Sequence, residues 1–200
     1  MNAFEIHRSK VVQLRRMPNQ LKTARGIKQK GWLTIELGLA LLVIAVLVAV
    51  AVLFYRDSQR KNSVNNNISE ITFVASNANA KYGTTGRYGD VTTDIAVRGG
   101  VVPAHLRVPG TDEANNRFGG VITIEPADLT GTNDVLEITW PAVPTNQCSD
   151  IVTGVQSEFR VITVAGAEVK ANGALLDLAA LEDACDADAP VDIVLSVGRF

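Results

Sequence analysis

Lys28-Gln29-Lys30-Gly31-Trp32-Leu33-Thr34-Ile35-Glu36 opens an apolar run that meets no further charge until Arg56. The 19 residues from Leu37 to Tyr55 carry no ionisable group except the terminal tyrosine. At about 1.5 Å per residue they cover about 30 Å, the thickness of a bilayer's hydrocarbon core, and so predict a transmembrane helix. Glu36 stands at the very start of this run, five residues after a glycine. A carboxylate in lipid costs about 2.5 to 3.5 kcal/mol at a helix centre and less near an end, so its presence calls for a neutralising partner.

Charge is divided unevenly around that segment. Residues 1–31 hold Arg8, Lys10, Arg15, Arg16, Lys22, Arg25, Lys28 and Lys30 against Glu5 alone, while the whole chain has 19 basic and 21 acidic side chains and a net charge of −2. The near-neutral total therefore conceals a basic leader and an acidic remainder. The positive-inside rule keeps the leader cytoplasmic and exports the C-terminal part. An acidic exported part excludes affinity for nucleic-acid phosphates as its main business. A cleaved secretory signal is disfavoured as well, because its apolar core runs to about 15 residues at most and ends in a small-residue cleavage site. Here the run is longer and continues into Arg56-Asp57-Ser58-Gln59-Arg60-Lys61.

A basic leader, a glycine and a glutamate five residues later at the head of an apolar helix resemble the processing site of type IV prepilins. In that family a dedicated membrane peptidase cuts after the glycine on the cytoplasmic side. By position, the resemblance implies cleavage between Gly31 and Trp32, with Trp32 as the new, usually N-methylated, amino terminus and Glu36 as the family's acid. The long leader and two cysteines in the C-terminal half resemble the type IVb branch, particularly the major pilins of thin conjugative pili. Trp32 and Leu33 depart from the family's common first and second mature residues. No proline lies between Pro18 and Pro103, whereas many type IVa pilins have one inside the apolar helix.

Cleavage there would create a protonated amine four residues before Glu36. Residues i and i+4 are neighbours on one helix, and between staggered helices the amine of one subunit meets the carboxylate of another. The inter-subunit pairing would also set register, a well-attested use of buried polar groups. The alternative is a solvated Glu36 at the cytoplasmic headgroups. Gly38, Ala45 and Ala49 supply small side chains for close helix approach, Ala45 and Ala49 as a small-xxx-small pair.

Helical periodicity continues beyond the apolar run: Val64, Ile68, Ile71, Ala75, Ala78 and Tyr82 recur at steps of three and four, an apolar stripe with polar residues such as Asn65, Asn66, Ser69, Glu70, Asn77 and Lys81 at other positions. One helix is expected over 32–82. Gly83-Thr84-Thr85-Gly86 is expected to stop it, and the glycine-, proline- and threonine-rich stretch 83–120 reads as a long, partly ordered surface loop. Val121–Glu125 and Val135–Trp140 read as an antiparallel pair around Gly131-Thr132-Asn133-Asp134. A helix is expected over Asn146–Phe159, with strands at Arg160–Val164 and Val191–Val197. The division is a leader at 1–31, a transmembrane and polymerisation helix at 32–82, and one head domain at 83–200. The fold class is α+β, a spine helix on a mostly antiparallel sheet, as the resemblance implies.

Cys148 and Cys185 are the only cysteines. One disulfide is the sole connectivity available to them in an oxidising compartment, with two free buried thiols as the alternative. In type IV pilins such a bridge bounds a variable surface region, here 148–185. The exported part has one histidine, His105, and no G-x-S-x-G or P-loop pattern, so enzymatic readings find little support. His105 reads as a solvated loop residue. Asp183, Asp186, Asp188 and Asp192 crowd near Cys185 but match no calcium-loop spacing and read as a solvated loop. No metal or other cofactor is expected.

Two functional classes follow. The resemblance implies a structural subunit of a type IVb pilus, precursor in the inner membrane and extracellular once assembled. Its partners would be copies of itself, the prepilin peptidase, the inner-membrane assembly machinery and a cell-surface receptor, with no direct nucleic acid. Its uses would be adhesion, aggregation or conjugative mating contact. A minor pilin or type II secretion pseudopilin shares the leader and helix. A membrane-anchored periplasmic binding domain accounts for 37–55 but not for Gly31 or Glu36.

Overall fold

The structure, a computed structural model, describes residues 32–83 and 88–198. The leader, Gly31 and most of the expected helix stop at 83–86 lie outside the described residues. The chain divides into two units, Met1–Val48 and Ala49–Phe200. In the first, the described residues belong to helix α1 (Trp32–Ala78), and those from Ile35 to Val48 are all exposed. The helix's most apolar 18-residue window has a mean hydropathy of 3.2 and buries nothing within the protein.

In the second unit, α1 becomes amphipathic and then tightens into a single π-helical turn, Asn79–Gly83. The apolar stripe faces inward as its spacing predicts: Val64, Ile71, Ala75 and Ala78 are buried, and Ile68 and Tyr82 pack against the core. The sheet beneath has five strands, β1 (Thr123–Ala127), β2 (Val135–Val143), β3 (Val161–Val164), β4 (Ala167–Lys170) and β5 (Val191–Gly198). Their spatial order is β1-β2-β5-β3-β4, and every pairing is antiparallel. The expected β1–β2 hairpin is present, in the register Thr123 opposite Thr139. Alternation in β5 sends Val191, Ile193, Leu195 and Val197 into the core beside Trp140 and Phe159.

Three other helices complete the unit: α2 (Thr93–Arg98), α3 (Thr145–Val155) and α4 (Leu178–Cys185). Helix α3 is four residues shorter at its C-terminus than the spacing predicts, and Phe159 is buried beyond its end. Gly154 is where α3 meets α1: a Cβ there would lie 2.3 Å from Ile68 Cδ1.

The stretch 83–120 corrects the sequence reading. It carries α2 and a 3₁₀ turn at Ala104–Leu106, and it buries Tyr88, Val91, Ala96, Val97, Val101, Val102, Leu106 and Ala114. Each apolar stretch is too brief to show a period, yet together they cover one end of the core. The aspartate cluster near Cys185 is likewise not all loop, since Asp183 lies within α4. Asp177 caps α4, accepting from the N–H groups of Ala179 and Ala180 at 3.0 and 3.1 Å, and Leu181 and Cys185 turn inward.

Candidate functional site

Every residue from Ile35 to Tyr55 on α1 is exposed. Long apolar surfaces of this kind mark contact with lipid or with another protein. Glu36 is its one charged residue and is exposed, as are Ala45 and Ala49. Around Gly38 nothing lies within 4 Å of where a Cβ would sit, so a neighbouring backbone has open access there. Trp32 is the first residue of α1, and Glu36 follows four residues later on the same helix.

Farther along α1, two polar residues face inward. Asn67 is fully buried: its amide donates to the Ser63 carbonyl at 2.9 Å, and its Oδ1 accepts from Trp140 Nε1 at 3.0 Å. This single amide satisfies the indole of the core's largest side chain, as a buried N–H requires. Glu70 is nearly as deep, its side chain 6 % exposed. Its Oε1 meets Arg117 Nε at 2.6 Å and His105 Nε2 at 2.8 Å. Neither role shows in the sequence. Glu70 falls beside the apolar stripe, and its cationic partners come from the stretch read as loop. His105 is thus an exposed residue with a buried partner, not a merely solvated one.

Cys148 on α3 and Cys185 at the end of α4 form a disulfide, their Cα atoms 5.7 Å apart. It joins two helices whose contact also includes Ser149 Oγ donating to Glu182 Oε1 at 2.6 Å. Arg60 of α1 reaches Asp150 of α3 at 2.7 Å, with both side chains about half exposed. The four aspartates near Cys185 do not converge. Asp192 instead accepts from the Ala142 N–H at 3.0 Å, where β2 is irregular and Ala142 has φ 59°. Among the described residues, no group of three or more His, Cys, Asp or Glu side chains is placed to hold a metal.

Asp134 and Lys170 are among the titrating groups shifted by their local structure. In the β1–β2 loop, the Thr130 hydroxyl and the N–H groups of Leu129, Thr130 and Gly131 all donate to Asp134 and hold its carboxyl far below the usual range. Burial pushes the Lys170 ammonium down, with Nζ donating to the Phe159 carbonyl at 2.7 Å. Both organise loops, and neither adjoins a candidate nucleophile.

Comparison with known proteins agrees with this arrangement. Residues 60–197 match the family described as PilS N terminal. The type IVb pilin from Salmonella typhi has a similar structure, at 21% sequence identity and a TM-score of 0.54, covering 68% of this chain and 99% of that one. TcpA, a type IV pilin from Vibrio cholerae El Tor, aligns at 18% identity and a TM-score of 0.45 over 66% of this chain and 98% of that one. No curated protein matches the sequence. The family match covers most of the chain. The chain belongs to the PilS N-terminal family of type IV pilins, has the fold of the type IVb branch, and is a structural subunit of a pilus rather than an enzyme.

Proposed function

We propose that the chain is made as an inner-membrane precursor with its basic leader in the cytoplasm and its head in the periplasm. The prepilin peptidase then cuts between Gly31 and Trp32, and the assembly machinery stacks the trimmed chains into a filament. The supporting observation is the fully exposed apolar stretch from Ile35 to Tyr55 with a lone carboxylate, Glu36, at its head. A lipid bilayer covers such a surface before assembly, and the same stretch of neighbouring copies covers it afterwards. The amine freed at Trp32 neutralises Glu36 of an adjacent copy and fixes the axial register, while Gly38, Ala45 and Ala49 allow the helices to approach closely. The exposed heads serve adhesion, aggregation or conjugative mating contact through a receptor on the opposing cell.

Mass spectrometry of the pilus subunit tests the processing step, because a terminus at Trp32 is expected and an intact leader in the filament would overturn it. For register, Glu36→Ala is expected to be cleaved normally and yet leave cells bald by electron microscopy. Normal filament numbers in that variant would end the role assigned to Glu36.

A further inference from the structure

The turn that follows β4 contains Asn172-Gly173, the one Asn-Gly pair in the chain. Both residues are exposed, and the turn is closed by Ala174 N–H donating to the Ala171 carbonyl at 3.0 Å, not by the Gly173 N–H. Gly173 has φ +76°, and nothing lies within 4 Å of where a Cβ would sit. The peptide after Asn172 therefore carries no side chain, and nothing crowds the position that one would take. The side chain of Asn172 is held as well: Arg160 Nε donates to its Oδ1 at 3.1 Å. That contact places a permanent positive charge on the oxygen of the side-chain amide and draws electrons from Cγ.

We infer that Asn172 is a site of self-modification by deamidation, with Arg160 as the activating group. Water or hydroxide takes the proton from the Gly173 N–H, and that nitrogen attacks Asn172 Cγ. A new N–Cγ bond forms, the carbonyl oxygen carries the developing negative charge beside the Arg160 guanidinium, and the Cγ–Nδ2 bond breaks to release ammonia. The resulting cyclic imide adds one water. Opening at one carbonyl gives aspartate, and opening at the other gives isoaspartate. No oxidation or reduction occurs, and water is the only co-reactant.

In the aspartate product the neutral amide facing Arg160 becomes a carboxylate, so the acceptor of an existing hydrogen bond becomes one half of an ion pair, whereas in the isoaspartate product the former Cγ carbonyl joins the main chain and the freed α-carboxylate carries the charge. The change falls inside the disulfide-bounded segment 148–185 and next to Leu175, which is 92% exposed. Each converted subunit gains one negative charge on the head's surface. The isoaspartyl form also lengthens the backbone by one carbon at the turn.

A donor aimed at a developing oxyanion is worth about a hundredfold in a dry site. Arg160 is partly exposed, so about tenfold is expected here. The test is to hold the purified native full chain in heavy-oxygen water at mildly alkaline and mildly acidic pH, then map its peptides by mass spectrometry. Conversion is expected at Asn172 ahead of every other asparagine, faster at alkaline pH, with heavy oxygen incorporated. Arg160→Gln should slow it about tenfold in the native chain yet leave the rate in denaturant unchanged, a comparison that separates activation from loss of fold. Gly173→Ala should suppress it in both. An intact Asn172 while other asparagines convert would overturn the site. Equal native rates for wild type and Arg160→Gln would overturn the role of Arg160.

Discussion

Arg117 Nε donates to Glu70 Oε1 at 2.6 Å, joining a half-exposed guanidinium to a carboxylate that is almost wholly inside the head. The two residues are 47 positions apart. Glu70 belongs to α1, whereas Arg117 and His105 belong to the stretch that folds over the end of the core. The contact therefore clamps that stretch to the spine, and the buried carboxylate has two hydrogen-bonded partners to offset its desolvation.

Removing the charge on the buried side tests the clamp. Glu70→Gln keeps the shape but halves the acceptors and leaves Arg117 without its counter-ion. Solvent at Arg117 and His105 softens the loss, so the expected cost is about 2 kcal/mol, less than for a fully buried pair. Chemical denaturation of the full chain in detergent measures it. A double-mutant cycle with Arg117→Gln should show coupling, and additive costs would mean the contact contributes nothing specific.

The disulfide between Cys148 and Cys185 closes a loop with a sequence separation of 37. In the chain-entropy model, a cross-link of this span stabilises the fold by about 4 kcal/mol. Paired replacement of both cysteines by alanine is expected to lower the thermal midpoint of the head in the oxidised protein, and reduction of the wild type should lower it by a similar amount. Wild-type protein that melts at the same temperature with and without reductant would place no stability in the bridge.

Gly154 carries a steric prediction. A Cβ at this position would sit 2.3 Å from Ile68 Cδ1 and 2.9 Å from Ile68 Cγ1. Ile68 is β-branched and packed against the core, so it has few rotamers into which to retreat. Gly154→Val is expected to destabilise the head by about 1 to 3 kcal/mol through overpacking. The second-site change Ile68→Ala should restore part of that loss, and thermal melts of the single and double variants decide the point.

These cases show which features the sequence makes legible. The stripe from Val64 to Tyr82 is periodic over several turns, so its burial could be read directly. The β1–β2 hairpin was marked by Gly131 and Asn133 between two β-branched runs. By contrast, β4 has one buried residue, Val169, among Ala167, Glu168 and Lys170, and the β3–β4 turn is Ala165-Gly166, where an alanine with φ 49° stands in place of the usual asparagine. No alternation survives at that length. Helix α4 was obscured by its alanine and aspartate content, although Asp177 followed by Leu178, Leu181 and Cys185 had the cap and spacing of a helix. Glu70 and Asn67 could not have been assigned, because the side-chain partners that hold them inward are set by the tertiary fold and lie 35 to 73 positions away. At the N-terminal half of α1 the position is reversed. The exposed apolar stretch from Ile35 to Tyr55 was legible because lipid imposes a composition rule that needs no tertiary contact.

Asp134 gives the fold a dependence on acid. The Thr130 hydroxyl leads the donors that hold its folded-state pKa below the ordinary carboxylate value of 3.8. A depressed folded-state pKa means that the unfolded chain takes up its proton first as pH falls. The loop's contribution is therefore complete above the ordinary carboxylate range and declines steadily below about pH 4, where the unfolded state binds more protons than the folded one. Asp134→Asn retains one acceptor oxygen but loses the charge that Leu129, Thr130 and Gly131 converge upon. Relative to wild type, this variant should be less stable at neutral pH, and the gap should narrow as the pH is lowered through the carboxylate range. Urea titrations of both proteins across that range measure the gap. A gap that stays constant with pH would show that the loop recognises the shape of the side chain and not its charge.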